Sequence, residues 1–274
     1  MKKLPIPVAA LAVVSLFAGC SQVPVTGRHA LSLVDDREVT KMSIAAFDDM
    51  KAHTPISRDA KRIEQLRRVG DRIEHAVPIW DMPDADWEFV VFDSPDINAF
   101  AMAGGKVGVF MGLFKIIEND DQLASVIGHE IAHVTAKHVN ENLSQQLAMQ
   151  TGGMIGGLAL MGSGAGLLTE SAVMSAYGLG SEGIGAAFDR GKEKEADHIG
   201  LMYMAKAGYD PEEAVKVLEK LEEETGAQAA GQSSFLSTHP SNPERIQQLR
   251  ELMPEAIKVR ERSGIAAPPP TVIR

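Results

Sequence analysis

Apolar positions along the chain change their spacing from segment to segment, and each change marks an element. Between Asp36 and about Val77 they recur every three or four residues, clearest at Ile63, Leu66, Val69 and Ile73, which predicts helix with one packing face. From Trp87 this spacing gives way to runs of aromatic and β-branched residues. WEFVVF (87–92), INAFAM (97–102) and KVGVFMGLF (106–114) read as extended, the last two joined through Gly104-Gly105 as a hairpin. Helical spacing returns after Asn119, a suitable N-cap with Gln122 three residues on, and Leu123, Val126, Ile127, Ile131 and Val134 form the apolar stripe. A second strong helix is expected from near Ala186 to Gly208, and another after the Asp210-Pro211 start signal, burying Val215, Leu218 and Leu221. A last helix, capped by Asn242, carries Ile246, Leu249 and Leu252. The sum is a mostly helical α+β fold with a small antiparallel sheet or hairpin beside the Asn119 helix.

Other segments lack such periodicity. Residues 1–19 carry two lysines, an apolar run and small residues, the layout of a secretory signal and too short for a membrane-spanning anchor. They lead to Cys20, the single cysteine of the chain, which has no disulfide partner to explain it. FAGC resembles a bacterial lipobox, apart from Phe17 in place of the usual aliphatic residue. The resemblance implies lipidation at Cys20, and Ser21 after it favours the inner leaflet of the outer membrane, facing the periplasm. Residues 20–35 read as a tether and 36–262 as one domain. Within it, 151–185 is a glycine-rich insertion whose TGGMIGGLALMGSGAGLL run reads as a mobile cover or a peripheral membrane contact rather than a span. Residues 263–274 read as a disordered, proline-rich tail. The 274 residues carry a net charge of −10, and an acidic chain without a basic stripe argues against nucleic acid as a partner.

The candidate chemistry is concentrated in GHEIAHVTAKH (128–138). A helix advances about 100° per residue, so His129 and His133 lie about 40° apart on one face and can hold one zinc ion. Glu130 flanks that face, near enough to serve a reacting water without being a ligand. His138 falls about 180° from His129 and could not join the pair unless the helix broke, so it reads as a surface or supporting residue. A catalytic zinc takes three protein ligands and keeps one position open. In EKEAD (193–197), Glu193 and Asp197 share a helical face, so Glu193 can supply the third ligand and Asp197 can accept the N–H of a ligating histidine. Lys192, Lys194 and Glu195 read as a solvated charge run.

HEIAH followed by Glu193 and Asp197 in the ExxxD pattern resembles the gluzincin peptidases. INAFAMAGGKVGVFMGLF, DQLASVIGHEIAHVTAKH, KEKEADHIG and STHPSNPERI extend the likeness to membrane-associated zinc endopeptidases of the HtpX/BepA/LoiP kind. It covers roughly Asp36 to Glu261 and lies closest to the single-domain periplasmic lipoproteins. The resemblance implies a zincin-like fold, one zinc ion per chain on His129, His133 and Glu193, and water as nucleophile. Glu130 would take its proton and return it to the leaving amine, and Asp197 would orient a histidine, His129 foremost. The expected substrates are misfolded or stalled envelope proteins. The family pattern also brings a histidine of the HP loop, here His239, towards the zinc, where it either blocks the open position or stabilises the oxyanion. An envelope assembly factor whose latent zinc site is closed by His239 is the rival reading. Arg245 reads equally as an ion pair near the site or as a surface residue. Gly105, Lys106, Val107, Gly108 and Val109 are candidates for pairing with an extended substrate strand. The oligomeric state is not legible.

Overall fold

The computed structural model describes residues 20–268 apart from 24, 151–168, 178, 180–187, 228–233 and 241. The signal segment, most of the glycine-rich insertion and the end of the tail fall outside the described residues.

The described residues open with a short antiparallel hairpin, β1 (Cys20–Gln22) and β2 (His29–Leu31). Residues 20–35 are therefore not a loose tether. Val23 and Ala30 are buried in the main core, and the Leu33 N–H donates to Ser144 Oγ at 2.8 Å. Three-residue strands are too short to show a period, which is why pattern alone misses them.

The helical stretch from Asp36 divides into α1 (Asp36–His53) and α2 (Ala60–Ala76), capped by the carboxylates of Asp35 and Asp59. Thr54, held extended before Pro55, ends α1. Next come β3 (Glu88–Phe92), β4 (Ala99–Met102) and β5 (Lys106–Phe110), arranged in the order β3-β5-β4. The β4–β5 hairpin turns at Gly104 and Gly105, whose φ angles of 87° and 79° suit glycine. β5 pairs parallel with β3 and antiparallel with β4, so the sheet is mixed rather than antiparallel. It follows that Lys106, Val107, Gly108 and Val109 lie on a strand paired on both sides and cannot receive a substrate strand; Gly105 sits in the turn. Order within a sheet is a long-range property that the runs themselves do not encode.

A 3-10 turn (Met111–Lys115) leads to α3 (Asp120–Thr135), the motif helix. Asn119 Oδ1 accepts the Gln122 N–H at 2.8 Å, while the Gln122 side chain reaches back to the Glu118 N–H at 2.9 Å. α3 runs through the core, with Leu123, Ile127 and Ile131 fully buried. There follow α4 (His138–Gln150), α5 (Glu170–Ala176), α6 (Arg190–Lys206), α7 (Glu212–Ala227), α8 (Ser234–Thr238) and α9 (Pro243–Ser263). α5, within the insertion, buries Val173 and Ala176, and the Tyr177 hydroxyl after it accepts the Ala103 N–H at 2.8 Å. Among the described residues no helix is long and apolar enough to cross a membrane.

α3 and α6 meet backbone to backbone. A Cβ on Gly200 would stand 2.7 Å from the His129 nitrogen, and one on Gly128 would stand 2.9 Å from the Gly200 carbonyl oxygen. Glycine at both positions lets the two helices approach this closely, and that approach places the first turns of α6 against the histidines of α3.

Candidate metal centre

Four buried side chains, His129 and His133 from α3, Glu193 from α6 and His239 after α8, bring donor atoms within 4.8 Å of one another. His133 Nε2 lies 3.1 Å from His129 Nε2 and 3.3 Å from Glu193 Oε1, and His129 Nε2 lies 3.4 Å from Glu193 Oε2. Donors about 2.0–2.1 Å from a tetrahedral zinc would stand about 3.3 Å apart, so the spacing and the two-imidazole, one-carboxylate chemistry both fit zinc. His239 Nδ1, 3.0 Å from Glu193 Oε1 and 3.4 Å from His129 Nε2, sits at the remaining corner. Its ring stacks on Phe235, centroids 4.7 Å apart, one helical turn earlier.

Glu130 is buried on the same helix, with Oε1 3.5 Å from His239 Nε2 and no hydrogen-bond partner for that oxygen. Burial raises its proton affinity above the ordinary carboxylate range, against the pull of the nearby histidines. Glu193 behaves oppositely. Burial again disfavours its charge, but the three histidines facing it outweigh that and hold it well below the usual range.

Behind the donors, each histidine of α3 has its own support. His129 Nδ1 lies 3.0 Å from Asp197 Oδ1. Asp197 in turn is gripped by Arg245, with Nε to Oδ2 and Nη2 to Oδ1 both 2.7 Å. Arg245 also places Nη1 2.7 Å from Glu193 Oε2 and donates to the Pro240 carbonyl at 3.2 Å. It is only 2% exposed, so the surface alternative for this residue is excluded. His133 is stacked by Phe188, with ring centroids 4.0 Å apart, and its Nδ1 lies 2.9 Å from His138 Nδ1.

The placement of His138 corrects the surface reading. α3 stops at Thr135, and Lys137 takes a φ of 58°, so the chain turns and brings His138 under His133 with no exposed area. Glu195 and Lys192 are also not solvated. Glu195 Oε2 is 3.1 Å from His138 Nε2, and Lys192 Nζ donates to Asn142 Oδ1 at 2.5 Å, whereas Lys194 stays near the surface and pairs with Glu244. A charge run on a helix buried on several sides must find partners, and a string of alternating charges does not announce that burial.

Residues 62–253 match peptidase family M48. The mitochondrial metalloendopeptidase OMA1 of Schizosaccharomyces pombe is 35% identical over 191 residues, covering 70% of this chain and 54% of that protein. The metalloendopeptidase OMA1 of Bos taurus is 30% identical over 92% of this chain and 49% of its own length. The beta-barrel assembly-enhancing protease of Yersinia pestis is 30% identical over 73% of this chain and 41% of its own length. The chain thus spans about half the length, or less, of the curated relatives it matches. With the family match running across the motif helix, Glu193 and Asp197 of α6 and the His239 loop, the chain belongs to peptidase family M48 and carries its metallopeptidase domain.

Proposed function

We propose that this chain is a zinc endopeptidase acting on unfolded or misfolded proteins of a bacterial envelope, held at the membrane by a lipid on Cys20. The observation that carries the peptidase reading is a buried carboxylate, Glu130, on the same helix as two of three donors spaced for zinc. His129, His133 and Glu193 would hold the ion, which when bound supplies a Lewis acid and a more acidic water. Glu130 accepts the proton of the attacking water and returns it to the leaving amine. The buried Arg245 keeps Asp197 and Glu193 ionised around this chemistry.

The substrate strand moves from β5 to the outer edge of β4. Asn98 O accepts the Phe110 N–H at 3.0 Å, so even-numbered residues here face β5 and odd-numbered ones face outward. Outward groups are taken at both ends, Ile97 O by the Phe235 N–H and Ala103 N–H by Tyr177. Between them, Ala101 turns its N–H and C=O to the same edge; the residue is buried, so an extended peptide would pair there only once the cover over this edge moved, whatever the peptide's sequence. The envelope location rests on the signal-like start, the FAGC pattern and the relatives named for β-barrel assembly; the OMA1 relatives are named mitochondrial.

His239 supports a second reading. With Nδ1 at the fourth corner, the donor set is closed, as an assembly factor with a latent zinc site would have it. Digestion of casein separates the two. The wild type should digest it, a chelator should stop it, and Glu130→Gln should slow it by about 10²–10⁴-fold. Equal digestion by wild type and Glu130→Gln would remove Glu130 from the mechanism. Digestion by His239→Ala but not by wild type would establish the latent site. Cys20→Ala should release the protein from membranes; continued attachment would point to residues 151–168.

A further inference from the structure

We infer that the β1–β2 hairpin is a working part of the metal centre, with Arg28 as a positioning residue that fixes His133 through Glu195 and His138. The inference rests on His133 being a metal ligand, as proposed above.

The connections run inward from the surface without a gap. Arg28 Nε donates to Glu195 Oε2 at 2.7 Å, and its two terminal nitrogens grip Glu141 at 3.0 Å each. The Thr26 hydroxyl, from the same hairpin, donates to Glu195 Oε1. Glu195 Oε2 also faces His138 Nε2 at 3.1 Å, and His138 Nδ1 faces His133 Nδ1 at 2.9 Å. His138 has no exposed area, so both its nitrogens are confined to these two partners.

Tautomer logic gives this chain a direction. Nε2 of His133 points at the other donors, so as a ligand it carries its proton on Nδ1. His138 Nδ1 must then accept, which puts the His138 proton on Nε2, aimed at Glu195. A carboxylate is the right terminus, because it only accepts. Arg28 and Thr26 hold that carboxylate in place and supply the charge that keeps a buried anion there. Ligating histidines are commonly braced by a carboxylate directly. Here one imidazole stands between, and the carboxylate depends on a segment more than a hundred residues away in sequence.

A simpler reading is that Arg28 merely staples the hairpin to α4 and α6. Arg68 provides the matched control. It is as exposed as Arg28, at 36% of its side chain, and pairs with the buried Asp120 at 2.8 Å, with no link to the metal donors. The test measures zinc affinity of the full chain by competition with a chromophoric chelator, alongside urea denaturation of the zinc-free protein. Loss of an outer partner typically weakens metal binding 10–100-fold, so Arg28→Met should weaken zinc about tenfold, and Arg68→Met should leave it unchanged. Arg28→Lys should fall between, since lysine lacks the planar fork that grips Glu141 with two nitrogens while a third reaches Glu195. The visible absorption of the cobalt(II)-loaded protein should shift in Arg28→Met and stay as in wild type in Arg68→Met. Should Arg28→Met not fold, Thr26→Val removes one donor from Glu195 and should weaken zinc in the same direction. Wild-type zinc affinity in Arg28→Met and Thr26→Val, with stability lost as in Arg68→Met, would overturn the inference. If His133→Ala binds zinc as wild type does, the metal assignment itself has failed.

Discussion

His129 and His133 sit one turn apart on the same helix, yet they are braced by opposite ends of the chain and by different chemistry. His129 leans on Asp197, which a fully enclosed arginine of α9 clamps with two hydrogen bonds. His133 leans on a second histidine, then on Glu195, then on Arg28, which is partly in water. The C-terminal brace is short, dry and charged throughout; the N-terminal brace is longer and reaches the surface. The two histidines proposed to hold one ion are thus oriented by supports of unlike chemistry, and those supports are expected to differ in how much stability they lend.

The largest expected effect lies on the dry side. Arg245→Met leaves Asp197 and Glu193 buried without their cation and should cost the zinc-free protein about 3–5 kcal/mol in urea denaturation. A loss no larger than that of Arg28→Met would erase the distinction between the two braces. Asp197→Asn should weaken zinc 10–100-fold by chelator competition, because His129 loses the partner that fixes its tautomer; unchanged affinity would mean that Arg245, and not His129, is the partner that matters to Asp197. Arg28→Met should cost the zinc-free protein only about 1 kcal/mol, since its carboxylate partners keep Lys192 and His138 and water can reach the site.

The smallest effect serves as a control outside both braces. Glu213 on α7 accepts from Asn119 and Gln122 at the start of α3 and pairs with Lys216. Burial opposes its charge, but these donors outweigh it and lower its proton affinity. Its contribution is therefore present in full above the ordinary carboxylate range and is lost as pH falls through that range to the lower folded value. The stability deficit of Glu213→Gln should shrink on acidification; a deficit independent of pH would show that the carboxylate is not ionised in the fold.

What was legible in the sequence was local. The caps at Asn119 and Asn242, the apolar stripe of α3 and the shared face of His129 and His133 follow from spacing within one helix. Glu193 and Asp197 were legible as a pair on one face, and Gly128 and Gly200 are what bring that face to the histidines. What escaped was set at a distance. No glycine or proline in VTAKH signals the left-handed Lys137 that turns His138 inward. Glu195 looks no different from the surface residue Lys194 beside it until the hairpin and α4 are seen to cover it. The central position of β5 depends on β3 arriving beside it in parallel, which neither strand shows alone.

His239 has a consequence for traffic through the centre. Its imidazole, backed by Phe235, takes the remaining corner of the donor set in a loop whose carbonyls Arg245 holds, and every donor is nearly or wholly enclosed. On the latent-site reading, a peptide entering and an ion leaving would both wait on the movement of His239. On that reading catalytic idleness and retention of the ion would be a single property, and a protein at rest would surrender its metal slowly to a scavenger. A protein at work would be the one most easily stripped.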